Sequence, residues 1–365
     1  MISVRSVFYS LLAPLIAIVV AVLVTSLVLV VAGASVSDFF SVIFRAPSGR
    51  NITNIINQTS MIYLSALAAA IGFRMNLFNI GVEGQYVIAS YCAAVVAGAA
   101  LLPGKLNSLL AILVAMLAGA LWAGIAGVLK VTRGVSEVIS TIMLNAIAGT
   151  LVGYLLSNKG EQFGQGRRTT PMPTSSQFAG WELFGDRAGP IWTLSLLAVV
   201  AGVVMSVVIN YTRFGFDLRA TGANPEAAIA SGVDVRKMVV IAMLISGAIA
   251  GLIWMPALFG SAYYYGPTFQ AQLGFTGIAV ALLGRNRPLG IFFGAVLFAW
   301  LSEQANPLGL IANISPSVVQ VTQGVVVLAV VIAYEVVRRW RVASEQRSLR
   351  ESLAARPSDG EEVPA

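Results

Sequence analysis

Long apolar runs separated by short polar segments dominate this chain. Runs near twenty residues recur at 11–33, 108–129, 136–156, 191–209, 238–260 and 318–337. Backbone N–H and C=O groups find no water inside lipid, so runs of that length read as membrane-spanning helices. Two further runs, 58–73 and 85–102, flank the stretch Asn76–Gln85, NLFNIGVEGQ. Residues 271–284 and 288–302 are each short, and RNRP divides them; they form either a tight helical hairpin or a re-entrant pair. The pattern predicts an all-α polytopic membrane protein of about ten transmembrane helices, some short or broken. The first run, Leu11–Gly33, exceeds the about 7–15 residues of a signal-peptide core and reads as a retained span.

Composition agrees with the pattern. Of 365 residues, 57% are hydrophobic and 11% charged, whereas a soluble domain is about 25% charged. The chain has no His and one Cys. That argues against a His-ligated metal site, a disulfide framework and His-based acid–base chemistry. The net charge of +7 does not point to nucleic acid, because the cations are scattered at the ends of apolar runs with no basic domain.

Charge also orients the spans. With ten crossings both termini face the cytoplasm. Sixteen of the 23 Lys and Arg residues then fall inside and seven outside, as the positive-inside rule requires. Residues 1–337 form the transmembrane part and 338–365 a cytoplasmic tail. The end of that tail, ARPSDGEEVPA, is polar and is expected to be disordered. The outer loop 157–190 is rich in Gly, Pro, Ser and Thr and is expected to hold turns and one short surface helix. Trp181 and Trp192 are placed at the outer interface.

The cytoplasmic connection between spans six and seven, residues 212–237, carries most of the inner-face signal outside the tail. Pro225 suits the first position of a helix with Asn224 as its N-cap, and Gly232 suits its end. One or two short helices should lie across the inner face. Small side chains at Ala220, Ala223, Ala227 and Ala228 permit another surface to approach. This segment is either a solvated loop with ordinary caps or a docking element for a cytoplasmic partner.

Polar residues inside apolar runs are the remaining candidates. A carboxylate at membrane depth is costly unless paired or hydrated. Glu83 has two candidate partners: Arg74, or backbone N–H groups where Gly81 and Gly84 permit a helix break. A structural tie, ion or proton coupling, and gating or lining are its three readings. Asn145, Gln304, Gln320 and Gln323 either line a path or join helices, each such bond being worth about 0.6 kcal/mol. Trp254 and Tyr263–Tyr265 are interface anchors or a stacking platform for a flat solute.

Three motifs carry a resemblance. GANPEAAIASGV resembles the coupling-loop signature of ATP-binding cassette (ABC) importer permeases. FNIGVEGQ, preceded by MNL, resembles a motif of the branched-chain amino acid and simple-sugar permeases, and GFTGIAVALLGRNRPLG is similar to a later one. The chain is most like the nucleoside-uptake branch. The resemblance implies an ABC importer permease fold in the bacterial inner membrane, without catalytic residues of its own. It implies two cytoplasmic ATPases using ATP-Mg, a second permease that is a different paralogue, and an extracytoplasmic substrate-binding protein. Coupling to the ATPase is carried over onto Gly222, Asn224, Pro225, Glu226, Ala227, Ala228 and Gly232. The helix-break motif falls on Asn79, Gly81, Glu83, Gly84 and Gln85. The expected pathway candidates are Asn145, Trp254, Tyr265, Gln304 and Gln320. The chain has no GxxxxGK[ST] phosphate loop, so ATP hydrolysis falls to a partner. The expected cargo is a small polar solute, a nucleoside first, with simple sugars or branched-chain amino acids as alternatives. An ion-coupled carrier and a non-transporting scaffold are the competing classes.

Overall fold

The computed structural model describes residues 4–354 apart from positions 186, 313 and 316. The tail segment ARPSDGEEVPA, expected to be disordered, lies outside the described residues. Eight helices among the described residues are long and apolar enough to cross a membrane. They are carried by α3 (Gly49–Arg74), α4 (Val82–Ala99), α5 (Lys105–Arg133), α6 (Glu137–Lys159), α7 (Leu196–Tyr211), α10 (Val235–Gly251), α13 (Pro288–Ala305) and α15 (Ser317–Ala354). Two more apolar helices, α1 (Val4–Val31) and α12 (Leu273–Leu283), complete the set. Short helices fill the joints: α2 (Val36–Ile43), α8 (Arg213–Ala223), α9 (Pro225–Ala230), α11 (Met255–Ala257) and α14 (Leu308–Ile311).

The third helix is the axis of the molecule. Every residue from Thr59 to Phe73 is buried, as expected for a helix apolar all round and surrounded by others. It is packed by α4, α7, α10, α12 and α13. The fifth helix shows the opposite pattern. Ala111, Ala115, Ala123 and Ala126 are fully buried, while Leu109, Leu113, Leu117 and Leu121 are 53–60% exposed. Small residues thus face α10 and leucines face outward, the arrangement that favours close helix contact in lipid. A second cluster joins α1, α2, α13, α14 and α15 through Leu29, Phe39, Leu301, Leu308 and Val319.

Several boundaries differ from the sequence reading. The second span begins at Gly49, not 58, and its extra turns carry Asn51, Asn54 and Asn57. The 271–302 region is unequal. Its first helix, α12, has 11 residues and reaches about 16 Å at 1.5 Å per residue, half of a hydrocarbon core near 30 Å. The second, α13, continues to Ala305 and is extended by α14. Arg285 and Asn286 turn the chain between them at φ 55° each. Span seven is broken: α10 stops at Gly251, and turns and a π-helical stretch carry the chain to Ala262. The outer loop holds a small hairpin, β1 (Glu161–Phe163) with β2 (Gly166–Arg168), and a 3-10 turn at Thr174–Ser176 in place of a surface helix. Downstream, α15 continues without a break past position 337 to Ala354.

Candidate functional site

The break between α3 and α4 is a closed polar knot. Asn79 is 0% and Gln85 1% exposed. The Asn79 amide donates to Ser246 Oγ at 2.8 Å and to Gln85 Oε1 at 3.1 Å, while its oxygen accepts from Gly81 N at 3.0 Å and Gln85 Nε2 at 2.9 Å. Ser246 in turn donates to Ala68 O at 2.7 Å. Asn145 clamps the same turn from α6, accepting from Gly84 N at 2.8 Å and donating to Ile80 O at 2.9 Å. Side chains thereby take up the Gly81 and Gly84 N–H groups and the Ile80 carbonyl, which the interrupted helix leaves without a ladder partner.

Glu83 lies at the next position inward. Its Oε1 accepts from Gln272 N at 2.8 Å and its Oε2 from Gly274 N at 2.9 Å. These N–H groups open α12, where the first turn of a helix has no backbone partner of its own and the dipole favours an anion. The residue preceding α12, Gln272, has φ 70° and makes no side-chain cap of its own. The approach is close enough that a Cβ on Gly274 would lie 2.5 Å from Glu83 Cα. The Tyr86 hydroxyl stands 2.8 Å from Gln270 O and 3.3 Å from Glu83 Oε1. Neither partner read from the sequence is used: the N–H groups come from the start of α12, not from the break at Gly81 and Gly84, whose own N–H groups go to Asn79 and Asn145. Arg74 instead holds Asn286 O through Nε and Nη2, at 2.9 and 2.7 Å.

The 212–237 segment packs at the same C-terminal end of α3, against Arg74 and Asn76. It folds as two short helices, α8 and α9. Asn224 Oδ1 caps α9 by accepting from Glu226 N at 2.9 Å and Ala227 N at 3.1 Å, with Pro225 in the first turn. Gly232 leaves the helix at φ 83°. Gly222 presses α8 against the Arg74 carbonyl, and its own carbonyl accepts from Asn76 Nδ2 at 2.6 Å. The element is thus fastened to the end of α3. Asn224, Pro225, Glu226 and Ala227 are exposed and Ala228 is buried. Phe216 and Ile229 are 59% and 61% exposed, leaving apolar side chains uncovered beside them.

A polar cavity lies beside the first turns of α3. Its volume is about 250 Å³, and it is lined by Asn54, Asn57 and Gln58 of α3, Trp192, Gln270, and Glu303 of α13 among others. Glu303 accepts from Asn51 Nδ2 at 2.9 Å, Asn54 Nδ2 at 3.0 Å and Asn306 Nδ2 at 3.3 Å. Asn57 Oδ1 accepts from Trp192 N at 2.9 Å, and its amide donates to Pro190 O at 3.1 Å, which fixes the tryptophan. A larger cavity of about 580 Å³ between α3, α7 and α13 is lined mainly by apolar groups such as Ile55, Tyr63, Leu289 and Phe292. The signal for the first was available: Asn51, Asn54 and Gln58 recur at helical spacing just ahead of an apolar run.

Comparison with known proteins places this architecture. The family described as branched-chain amino acid transport system, permease component, matches residues 51–333, most of the chain. The chain belongs to that permease family. Among characterised relatives it is 36% identical to the guanosine ABC transporter permease protein NupP of Bacillus subtilis over 89% of this chain and 94% of that one. It is 28% identical to the nucleoside ABC transporter permease protein NupB of Lactococcus lactis, covering 88% and 91% of the two chains. It is 30% identical to the glucose ABC transporter permease protein TsgB13 of Haloferax volcanii, covering 90% and 89%. The protein is therefore the multi-pass inner-membrane permease subunit of an ABC importer for a small polar solute.

Within this permease, most of the pathway candidates read from the sequence serve packing or helix ties. Asn145 is committed to the helix break described above. Gln304 is buried and donates to Ile43 O at 3.2 Å and Arg45 O at 2.7 Å, satisfying carbonyls at the end of α2. Gln320 is exposed on α15. Gln323 donates to Phe298 O at 3.2 Å and to Ser302 Oγ at 3.0 Å. Trp254 is 1% exposed and packs with Phe269 at 5.0 Å and Tyr265 at 5.8 Å between ring centroids, so it neither anchors an interface nor lines either cavity. Tyr265 is 7% exposed. Its backbone pairs with Thr169 of the outer loop at 2.9 Å, because the irregular stretch after Ala262 needs partners for its N–H and C=O groups. Of the two tryptophans assigned to the interface, Trp181 is 46% exposed while Trp192 is the wall of the polar cavity.

Proposed function

We propose that this permease imports nucleosides by alternating access, as one of two different permease subunits docked on two cytoplasmic ATPases. The 36% identity to a guanosine permease over nearly the whole of both chains carries the substrate reading. A substrate-binding protein delivers the solute from outside. ATP-Mg bound by the partner ATPases supplies the drive, and residues 212–237 receive it. Support for that role comes from an exposed, capped short helix, α9, next to α8, which is fastened to α3 at Gly222. A rigid element of this kind moves with the helices it joins, and α3 passes the polar cavity near its other end. Gly222, Asn224, Pro225, Glu226, Ala227, Ala228 and Gly232 form this element. Both termini lie in the cytoplasm in this reading.

The test is uptake by the reconstituted complex with nucleosides, simple sugars and branched-chain amino acids in competition. Unlabelled nucleosides are expected to suppress labelled nucleoside uptake. Suppression by glucose or leucine, with nucleosides ineffective, refutes the substrate assignment.

A further inference from the structure

We infer that the polar cavity bounded by Asn54, Asn57, Gln58, Trp192, Gln270 and Glu303 is a solute subsite for an uncharged ribonucleoside. The inference rests on the nucleoside reading above and adds the place and the selection rule.

Glu303 is the acidic residue that lines the cavity. A carboxylate has about four acceptor positions. Two amides bond Oε1 and one bonds Oε2, which leaves one position open on Oε2. Among the described residues Glu303 makes no ion pair, and no Lys or Arg lines the cavity. An incoming anion would meet a negative charge with no cation to offset it. A neutral hydroxyl, by contrast, can donate to Oε2. The three asparagine amides hold the carboxylate in place before the solute arrives, so little ordering is left for binding.

Trp192 lines the same cavity. One side of its ring is backed by Gly260, where a Cβ would fall 2.5 Å from Trp192 Cγ, and its backbone is tied to Asn57. The tryptophan is thus held as a rigid apolar wall, suited to the face of a flat ring. Gln58 and Gln270 bring primary amides, each with two donors and an acceptor, to the same space. Such groups suit the edge of a nucleobase. A hydroxyl acceptor, a flat wall and paired amides together fit a ribose joined to a base. Gln270 is also two residues from Gln272, whose N–H is held by Glu83, and the Gln270 carbonyl accepts from the Tyr86 hydroxyl at 2.8 Å.

Uptake by cells producing the full chain with its own partners tests this, using tritiated adenosine as the probe. Competitors are adenosine 5′-monophosphate, 2′,3′-dideoxyadenosine and glucose. In wild type, the monophosphate and glucose are expected not to compete. The dideoxynucleoside is expected to compete at least about tenfold more weakly than adenosine, as a site built around a hydroxyl rejects its absence. Glu303→Gln is expected to raise KM about tenfold and to let the monophosphate compete, an effect that loss of packing alone does not produce. Gln270→Leu, at an exposed position, gives a second variant that needs no rearrangement of the core, and its expected effect is a raised KM for adenosine. Unchanged KM in Glu303→Gln and Gln270→Leu, with the monophosphate still excluded, overturns the subsite and leaves the nucleoside permease intact. Wild-type cells that take up no nucleoside overturn the nucleoside reading and this assignment with it.

Discussion

Glu83 caps a helix that begins 190 positions further along the chain: its carboxylate holds the N–H of Gly274 at 2.9 Å and of Gln272 at 2.8 Å. The half-length helix α12 starts there, inside the protein, with no side-chain cap of its own. One acidic residue therefore joins the break before α4 to the start of α12.

Removing that cap should loosen the membrane core. Glu83→Ala leaves two N–H groups without a partner, and we expect a loss of about 3 kcal/mol from two charge-assisted hydrogen bonds. Glu83→Gln keeps one acceptor and should lose about half as much. Thermal unfolding of the detergent-solubilised protein should rank wild type above Gln and Gln above Ala. Equal midpoints would remove the tie.

Asn145 separates a structural role from a pathway role. Asn145→Ala frees Gly84 N–H and Ile80 O inside the protein and should cost about 2 kcal/mol. The KM for solute should stay at the wild-type value. A raised KM at undiminished stability would return Asn145 to the path.

Trp254 makes a similar test for the aromatic core. Its ring is fully enclosed by Phe269, Tyr265 and their neighbours. Trp254→Ala should cost about 3–5 kcal/mol through the cavity it leaves, read as a lower melting midpoint and less protein in the membrane. Residual transport should keep its wild-type KM.

These residues also mark what the sequence could and could not reveal. The apolar runs located the membrane helices because hydropathy reflects a requirement imposed by lipid itself. The caps of α9 were legible, since Asn224 and Pro225 act within three residues of each other. The partner of Glu83 was not, because contacts separated by nearly 190 positions leave no local pattern. Hydropathy also misplaced the ends of α3 and α13. Their polar turns are helical: Asn54, Asn57 and Glu303 line the polar cavity, and Asn51 bonds Glu303 beside it. The start of α3 and the end of α13 are where the polar cavity lies.

The short inner helices predict a coupling phenotype. Ile229→Asp places a charge on the uncovered apolar side chain of α9, where burial of an unpaired charge opposes docking. ATP-driven uptake should fall while solute binding is retained. Gly222→Ala should do the same by driving a methyl group into the Arg74 carbonyl. Both should reduce the amount of ATPase recovered with the permease on purification. Full recovery with full uptake would leave 212–237 as an ordinary solvated connection.

As proposed, transport through this chain is powered by nucleotide hydrolysis in a partner. Proteoliposomes holding the assembled complex, loaded with labelled adenosine on the binding-protein side, address it directly. The account predicts uptake that requires ATP on the cytoplasmic side and is indifferent to Na⁺ or H⁺ gradients. Uptake by this chain alone, driven by an ion gradient with ATP absent, would contradict it.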